Sequence, residues 1–279
     1  VGIYAQNSST INVKNSGTIN VDKTTTSVKN DSTVGIYAQG GSRINVKNSG
    51  TINVGESSFG IYSLSENGNV TTNSVINVAD QAIGIYKRGG SVNLSGTVNV
   101  APHTATALNS EPVGVYGTNG VVVSDNTSNF NVGDKSYGVI LANPGTATNF
   151  YTNSATEQVS LGNESTFLYS EGKSVVVNNA NINSGTNGKI IAIYAKDGGY
   201  VANNGNIDLS QGLGNIGVYS TGLNSVAVNS NGGVIRVGET DASDKNNVYY
   251  GIAMAATDGG SIENRGDIYV TGGLSMGMY

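Results

Sequence analysis

The stretch Val34–Ser63, VGIYAQGGSRINVKNSGTINVGESSFGIYS, holds three phrases and then begins again. An apolar-Gly-Ile-Tyr word stands at Val34–Tyr37 and returns at Phe59–Tyr62. Between the two lie Ile44-Asn45-Val46 and Ile52-Asn53-Val54, each apolar, polar, apolar. Period-two alternation marks a strand with one buried face. The Gly, Asn and Ser clusters between the phrases are turn formers.

The same reading extends over the chain. Words stand at Val1–Tyr4, Val34–Tyr37, Phe59–Tyr62, Ile83–Tyr86, Val113–Tyr116, Tyr137–Ile140, Thr166–Tyr169, Ile191–Tyr194, Ile216–Tyr219, Tyr250–Ala253 and Met276–Tyr279. Their fourth positions are 24 to 34 residues apart, a spacing that signals stacked repeats. Three short strands per repeat cannot bury their apolar faces alone. Coiling them, each turn hydrogen-bonded to the next, does so. The expected fold is all-β: a right-handed parallel β-helix, or solenoid, with three strands per rung and about ten rungs, residues 1–279 forming one segment. Val1 and Tyr279 both fall inside words, so the natural chain is expected to continue on both sides.

Composition narrows the function. Charged residues make up 12% of the chain and the net charge is −5, with no basic cluster beyond Lys87-Arg88, which argues against nucleic acid. Cysteine is absent, excluding disulfides, thiol catalysis and Cys-ligated metals. No apolar run approaches the ~20 residues of a membrane helix. His103 is the single histidine, and no Gly-x-Ser-x-Gly elbow or Gly-rich phosphate loop accompanies it. The chain is expected to be no enzyme and to need no cofactor.

Period two places word positions one and three inward, with Gly and Tyr outward. Stacked rungs would then align Tyr4, Tyr37, Tyr62, Tyr86, Tyr116, Tyr169, Tyr194, Tyr219 and Tyr279 in a stripe, read chiefly as a packing ladder and alternatively as a binding ridge. Asn15, Asn48, Asn73, Asn126, Asn153, Asn204 and Asn264 are expected to form an inward amide ladder. Asp22, Glu56, Asp80, Asp134 and Glu239 form an acidic column after the third strand. It reads as solvated turns, or else as a cation site or the acid pair of a polysaccharide-cleaving β-helix. In the outward column of the third strand, Asp208 and Arg236 are expected to pair across adjacent rungs.

Connections from third strand to next word mostly span five to seven residues, but those at 22–34, 101–113 and 238–250 are longer and leave the same corner. Insertions on one edge of a solenoid often bind partners. The third, ETDASDKNNVYY from Glu239, sets Asp241, Asp244, Lys245 and Asn247 beside Tyr249 and is the candidate partner-binding element.

The Val34–Ser63 stretch resembles the passenger repeats of large type V autotransporter adhesins, most closely those of fusobacteria. The resemblance implies a virulence-associated rod on the bacterial cell surface, anchored in the outer membrane by a C-terminal barrel outside this chain. It further implies adhesion to host or bacterial surface receptors or glycans. A carbohydrate-active enzyme using turn carboxylates and a purely structural stalk are the alternatives.

Overall fold

In a computed structural model of the chain, residues 1–13, 17–23, 32–46, 50–105, 111–142 and 145–279 are described. Every described regular element is a strand. The eleven word strands form one parallel sheet in chain order, each pairing with the next word. Second strands pair with second strands and third with third, in parallel register, such as Ile44 with Val70 and Ile52 with Ile76. The two sets merge into one sheet because Ser91–Val100 and Val122–Val132 run through the corner unbroken. This is a parallel β-helix of ten turns, numbered here as rungs 1–10 by the word that opens each. Its core is a file of branched side chains, including Ile36, Ile44, Ile52, Ile61, Ile76 and Ile85, each 1% exposed or less.

Three expectations about facing are corrected. First, the word does not alternate from its first residue. Positions two, three and five are buried while one and four are partly exposed, as in Val34–Ala38 and Phe59–Ser63. The glycine points inward: a Cβ on Gly84 would lie 2.6 Å from the Gly114 carbonyl oxygen and 2.9 Å from Val78 Cγ2. After the short connections the chain arrives at the word from a tight corner whose last-but-one residue is left-handed, as at Ser57 (φ 56°), Gln81 (φ 60°) and Lys189 (φ 59°). The alternation breaks inside the word, between positions two and three: the paired register steps over the glycine, joining Ile83 to Val113 and then Ile85 to Val115.

Second, the tenth word is Ile252–Ala255, not Tyr250–Ala253. Ile216 pairs with Ile252 and Tyr219 with Ala255. Gly251 imitates the word but belongs to the loop, which therefore ends two residues later.

Third, the buried amide ladder has other members. Asn153 donates to Asn178 at 3.0 Å, Asn178 to Asn203 at 2.9 Å, Asn203 to Asn229 at 2.9 Å and Asn229 to Asn264 at 2.8 Å. Asn153 and Asn264 were expected; Asn73, Asn126 and Asn204 lie one residue past the corner and face outward. Asn15 and Asn48 lie outside the described residues. The column starts as Val13, Val46, Thr72 and Leu94, passes through Asp125, and only then becomes asparagine.

The tyrosine stripe is a packing ladder. Tyr4, Tyr37, Tyr62, Tyr86 and Tyr116 stack face to face at centroid spacings of 4.7 to 5.6 Å. Ile140 interrupts it, Tyr169, Tyr194 and Tyr219 resume it at 5.1 and 5.0 Å, and Ala255 stops it. A second amide ladder runs along the outer face of the third strand, Asn131 to Asn99 to Asn77 to Asn53 to Asn20, at 2.7 to 2.8 Å. Further along that column Asp208 and Arg236 do sit side by side. Their expected ion pair is not made: Arg236 donates to Asn206 at 2.6 Å and lies over the Tyr269 ring, while Asp208 accepts from the Ser210 N–H and hydroxyl.

One lysine surprises. Lys87, half of the basic pair, is fully buried at word position five, and its Nζ donates to the Ser65 carbonyl at 2.6 Å. Burial pushes its pKa down to about 8. Arg88 alone faces out, paired with Glu66 at 2.9 Å.

Candidate binding edge

All three long connections leave the corner after the third strand. The first two fall partly outside the described residues, at 24–31 and 106–110. The third is described throughout and folds on itself. Asp241 and Tyr249 form an antiparallel bridge through hydrogen bonds of 2.8 and 3.0 Å. Asp241 accepts from the Ser243 N–H and hydroxyl, and Asp244 from the Asn246 N–H and the Asn247 amide. These hydrogen bonds hold the pKa of both carboxylates below the usual range. Lys245 and Asn247 remain exposed at the tip.

The hairpin leans back over earlier rungs. Lys189, from the corner of rung 7, lies 3.5 Å from the Asp241 carboxylate and 4.3 Å from the centre of the Tyr249 ring. The Lys189 side chain keeps about a third of its surface in solvent, so this cation–ring contact is worth about 0.5–1 kcal/mol. Beside this contact lies a recess of about 240 Å³ lined by Asn163, Glu164, Thr186, Gly188, Lys189, Leu213 and Asp241. Leu213, Tyr249 and Tyr250 are each more than 40% exposed. Asp241 and Tyr249 are thus brought together, whereas Asp244, Lys245 and Asn247 stand apart from the recess on the hairpin tip. Lys189 and Leu213 escaped the sequence reading because each sits in an ordinary short connection, with nothing local to show that a loop from rung 9 reaches it.

A second, longer groove follows the same edge over rungs 1–4. It encloses about 630 Å³ and runs from the ladder of Asn20, Asn53, Asn77 and Asn99 to the corner at Asp22, Lys23, Gly55 and Ala101. Asn53, Asn77 and Asn99 each spend one N–H and one oxygen lone pair on their neighbours, so each retains a donor and an acceptor for a ligand.

The acidic column does not act as a unit. Asp22 is one position out of register, since Val21 pairs with Val54, setting Lys23 level with Glu56, and these two form an ion pair. Asp134 accepts from the Asn163 N–H at 2.7 Å, and Glu239 is exposed. Among the described residues no three acidic or histidine side chains gather as metal ligands.

Asp80 is the exception in strength. It accepts from His103 Nδ1 at 2.8 Å, from the Thr104 N–H at 2.8 Å and from the Thr104 hydroxyl at 2.7 Å. Burial alone would raise its pKa, but these bonds outweigh it and bring it down to about 2. A depressed acid stabilises the fold above its unfolded pKa near 4, and that stability is lost as pH falls through about 2. Asp80→Asn is therefore expected to lower stability by about 1 kcal/mol near neutral pH, after allowing for solvent screening, with the difference vanishing toward pH ~2. Paired thermal melts across that range check it; a gap that persists in acid would refute the assignment. His103 thus anchors a loop through a carboxylate.

Neither a curated protein nor a solved structure matches the chain. Residues 150–279, which hold the buried asparagine ladder and the whole third loop, match the model of the BigA third pectate lyase-like domain, in keeping with the parallel β-helix described above.

Proposed function

We propose that this chain is a β-helical segment of a bacterial cell-surface adhesin, a rod that presents partner-binding elements along the corner after its third strands. The observation that carries the reading is the third loop. A 15-residue connection, Gly238–Ile252, could have been a slack insertion; instead it closes a hairpin and pins it across rungs 7–9 through Lys189. Pre-ordering a surface loop removes entropy cost from later binding. The hairpin carries exposed Tyr249 and Tyr250 beside charged and amide groups, the mixture that recognition surfaces use. The likeness to a BigA domain supports a place on the cell surface. The finer expectations belong to the same proposal: a passenger like those of fusobacteria, type V secretion, an outer-membrane barrel beyond this chain, host or bacterial receptors or glycans as partners, and no enzymatic activity.

The test replaces Gly238–Ile252 with the Gly55–Phe59 connection and measures attachment to immobilised surface glycans, receptors and cells. Attachment is expected to weaken at least ~tenfold, about 1.4 kcal/mol, with the β circular-dichroism signal retained. Undiminished attachment after trimming would favour the stalk.

A further inference from the structure

Where the second strands of rungs 5 and 6 reach their corner, two carboxyls and two hydroxyls are sealed inside the coil. Asp125, Thr127, Tyr151 and Glu157 are each 2% exposed or less. Asp125 occupies the column that continues as Asn153 and Asn178. Its Oδ1 accepts from the Thr127 N–H at 3.0 Å and its Oδ2 from the Tyr151 hydroxyl at 2.9 Å. Glu157 precedes the third strand of rung 6 and also points inward. Neither of its carboxyl oxygens has a hydrogen-bond partner, and neither does the Thr127 hydroxyl. Phe167 closes the chamber, its ring 6.4 Å from Tyr151 and 5.2 Å from Phe130.

Among the described residues no basic side chain offsets these carboxyls. The titratable groups that act on Asp125, Glu157 and Tyr151 are one another. Two ionised carboxylates in such a space would each be poorly solvated and would repel the other, so the pair keeps protons instead. A protonated Asp125 has the same shape as the asparagines that follow it in the column.

We propose that Asp125 and Glu157 form an acid-closed clasp between rungs 5 and 6, held by protons on this buried pair and loosened when the pair ionises. The direction follows from linkage. Burial raises the pKa of both groups above the unfolded value near 4, and the charge of Asp125 raises Glu157 further. A raised acid stabilises the fold fully below its unfolded pKa, and that contribution is lost as pH rises through the folded value. The clasp therefore opposes Asp80, which is lost on the acid side.

Hydrogen exchange, corrected for intrinsic rates, reads the clasp locally. Between about pH 5 and about pH 8.5, the amides of Val122–Val132, Asn149–Asn153 and Gln158–Leu161 should lose protection at least ~tenfold more than those of rungs 8 and 9. Asp125→Asn and Glu157→Gln should each reduce that pH-dependent excess. The unaltered chain supplies a second readout: an infrared band of a protonated carboxyl should persist at neutral pH and fade toward pH ~9. Equal loss of protection in every rung, or no such band, would overturn the proposal. So would millimolar Ca²⁺ restoring protection at alkaline pH with EDTA removing it at neutral pH, since a cation would then fill the chamber.

Discussion

Gly84→Val is expected to destabilise the coil by about 3–5 kcal/mol, the upper range for a single substitution. The cause is space rather than backbone conformation. None of Gly35, Gly60, Gly84, Gly114, Gly138 and Gly217 has a left-handed φ, yet a Cβ at any of them would come within 2.7 Å of a carbonyl oxygen in the next rung. At Gly84 a branched side chain would press on both the Gly114 carbonyl and Val78, and neither is the free end of a flexible chain. Gly84→Ala should cost less, about 1–2 kcal/mol, because the fold itself places a methyl in this column at Ala192 and Ala253, both wholly buried. Phe167 fills the column at rung 7, and its ring is what forbids a side chain at Gly138, where a Cβ would lie 2.5 Å from Phe167 Cδ2. Denaturant midpoints of Gly84→Val, Gly84→Ala and the parent chain measure the order; a valine variant within ~0.5 kcal/mol of the parent would show that the word strand yields more easily than its packing implies.

Asn203→Leu should cost about 2–4 kcal/mol although leucine is apolar and the site is fully buried. Size is not the obstacle, since Leu94 occupies the same column at rung 4. Asn203 accepts from Asn178, donates to Asn229 and also donates to the Gly205 carbonyl at 3.1 Å. Its removal strands a buried donor above, an acceptor below and a carbonyl at the corner. Converting Asn178, Asn203 and Asn229 together should cost clearly less than three times the single change, because the internal partners disappear in pairs. Additive losses across the three single and the triple variants, measured by chemical denaturation, would argue that each asparagine acts through its corner carbonyl alone. The ladder lies wholly within the matched residues 150–279, whereas rungs 1–4 fill the same column with Val, Thr and Leu. The two halves of the rod thus solve one corner in two ways, by apolar packing and by amide bonding.

The repeated words decide a great deal without any coordinates. Ile, Val and Tyr recur at spacings that only parallel stacking can satisfy, so the strand order and the tyrosine ladder were legible: each depends on like residues falling at like positions in successive turns. The common corner of the three long loops was legible for the same reason. Facing at the corners was not. A one-residue slip reverses every side chain; the break in alternation at the word's glycine turns Gly84 inward, and Asn204 points out because it lies one residue past the end of its second strand, Tyr200–Asn203. Gly251 misled because an isolated Gly in a Gly-rich loop copies the word, and only pairing with rung 9 shows Ala253 in its place. Tertiary structure alone also decided the encounters between distant segments: Lys189 under Tyr249, Lys87 within the core, Glu157 beside Asp125. Each joins residues 20 or more apart whose neighbours in sequence look like ordinary solvated turns. In a solenoid the sequence repeats what every rung shares, and adjacency between rungs creates what is particular to one place on the rod.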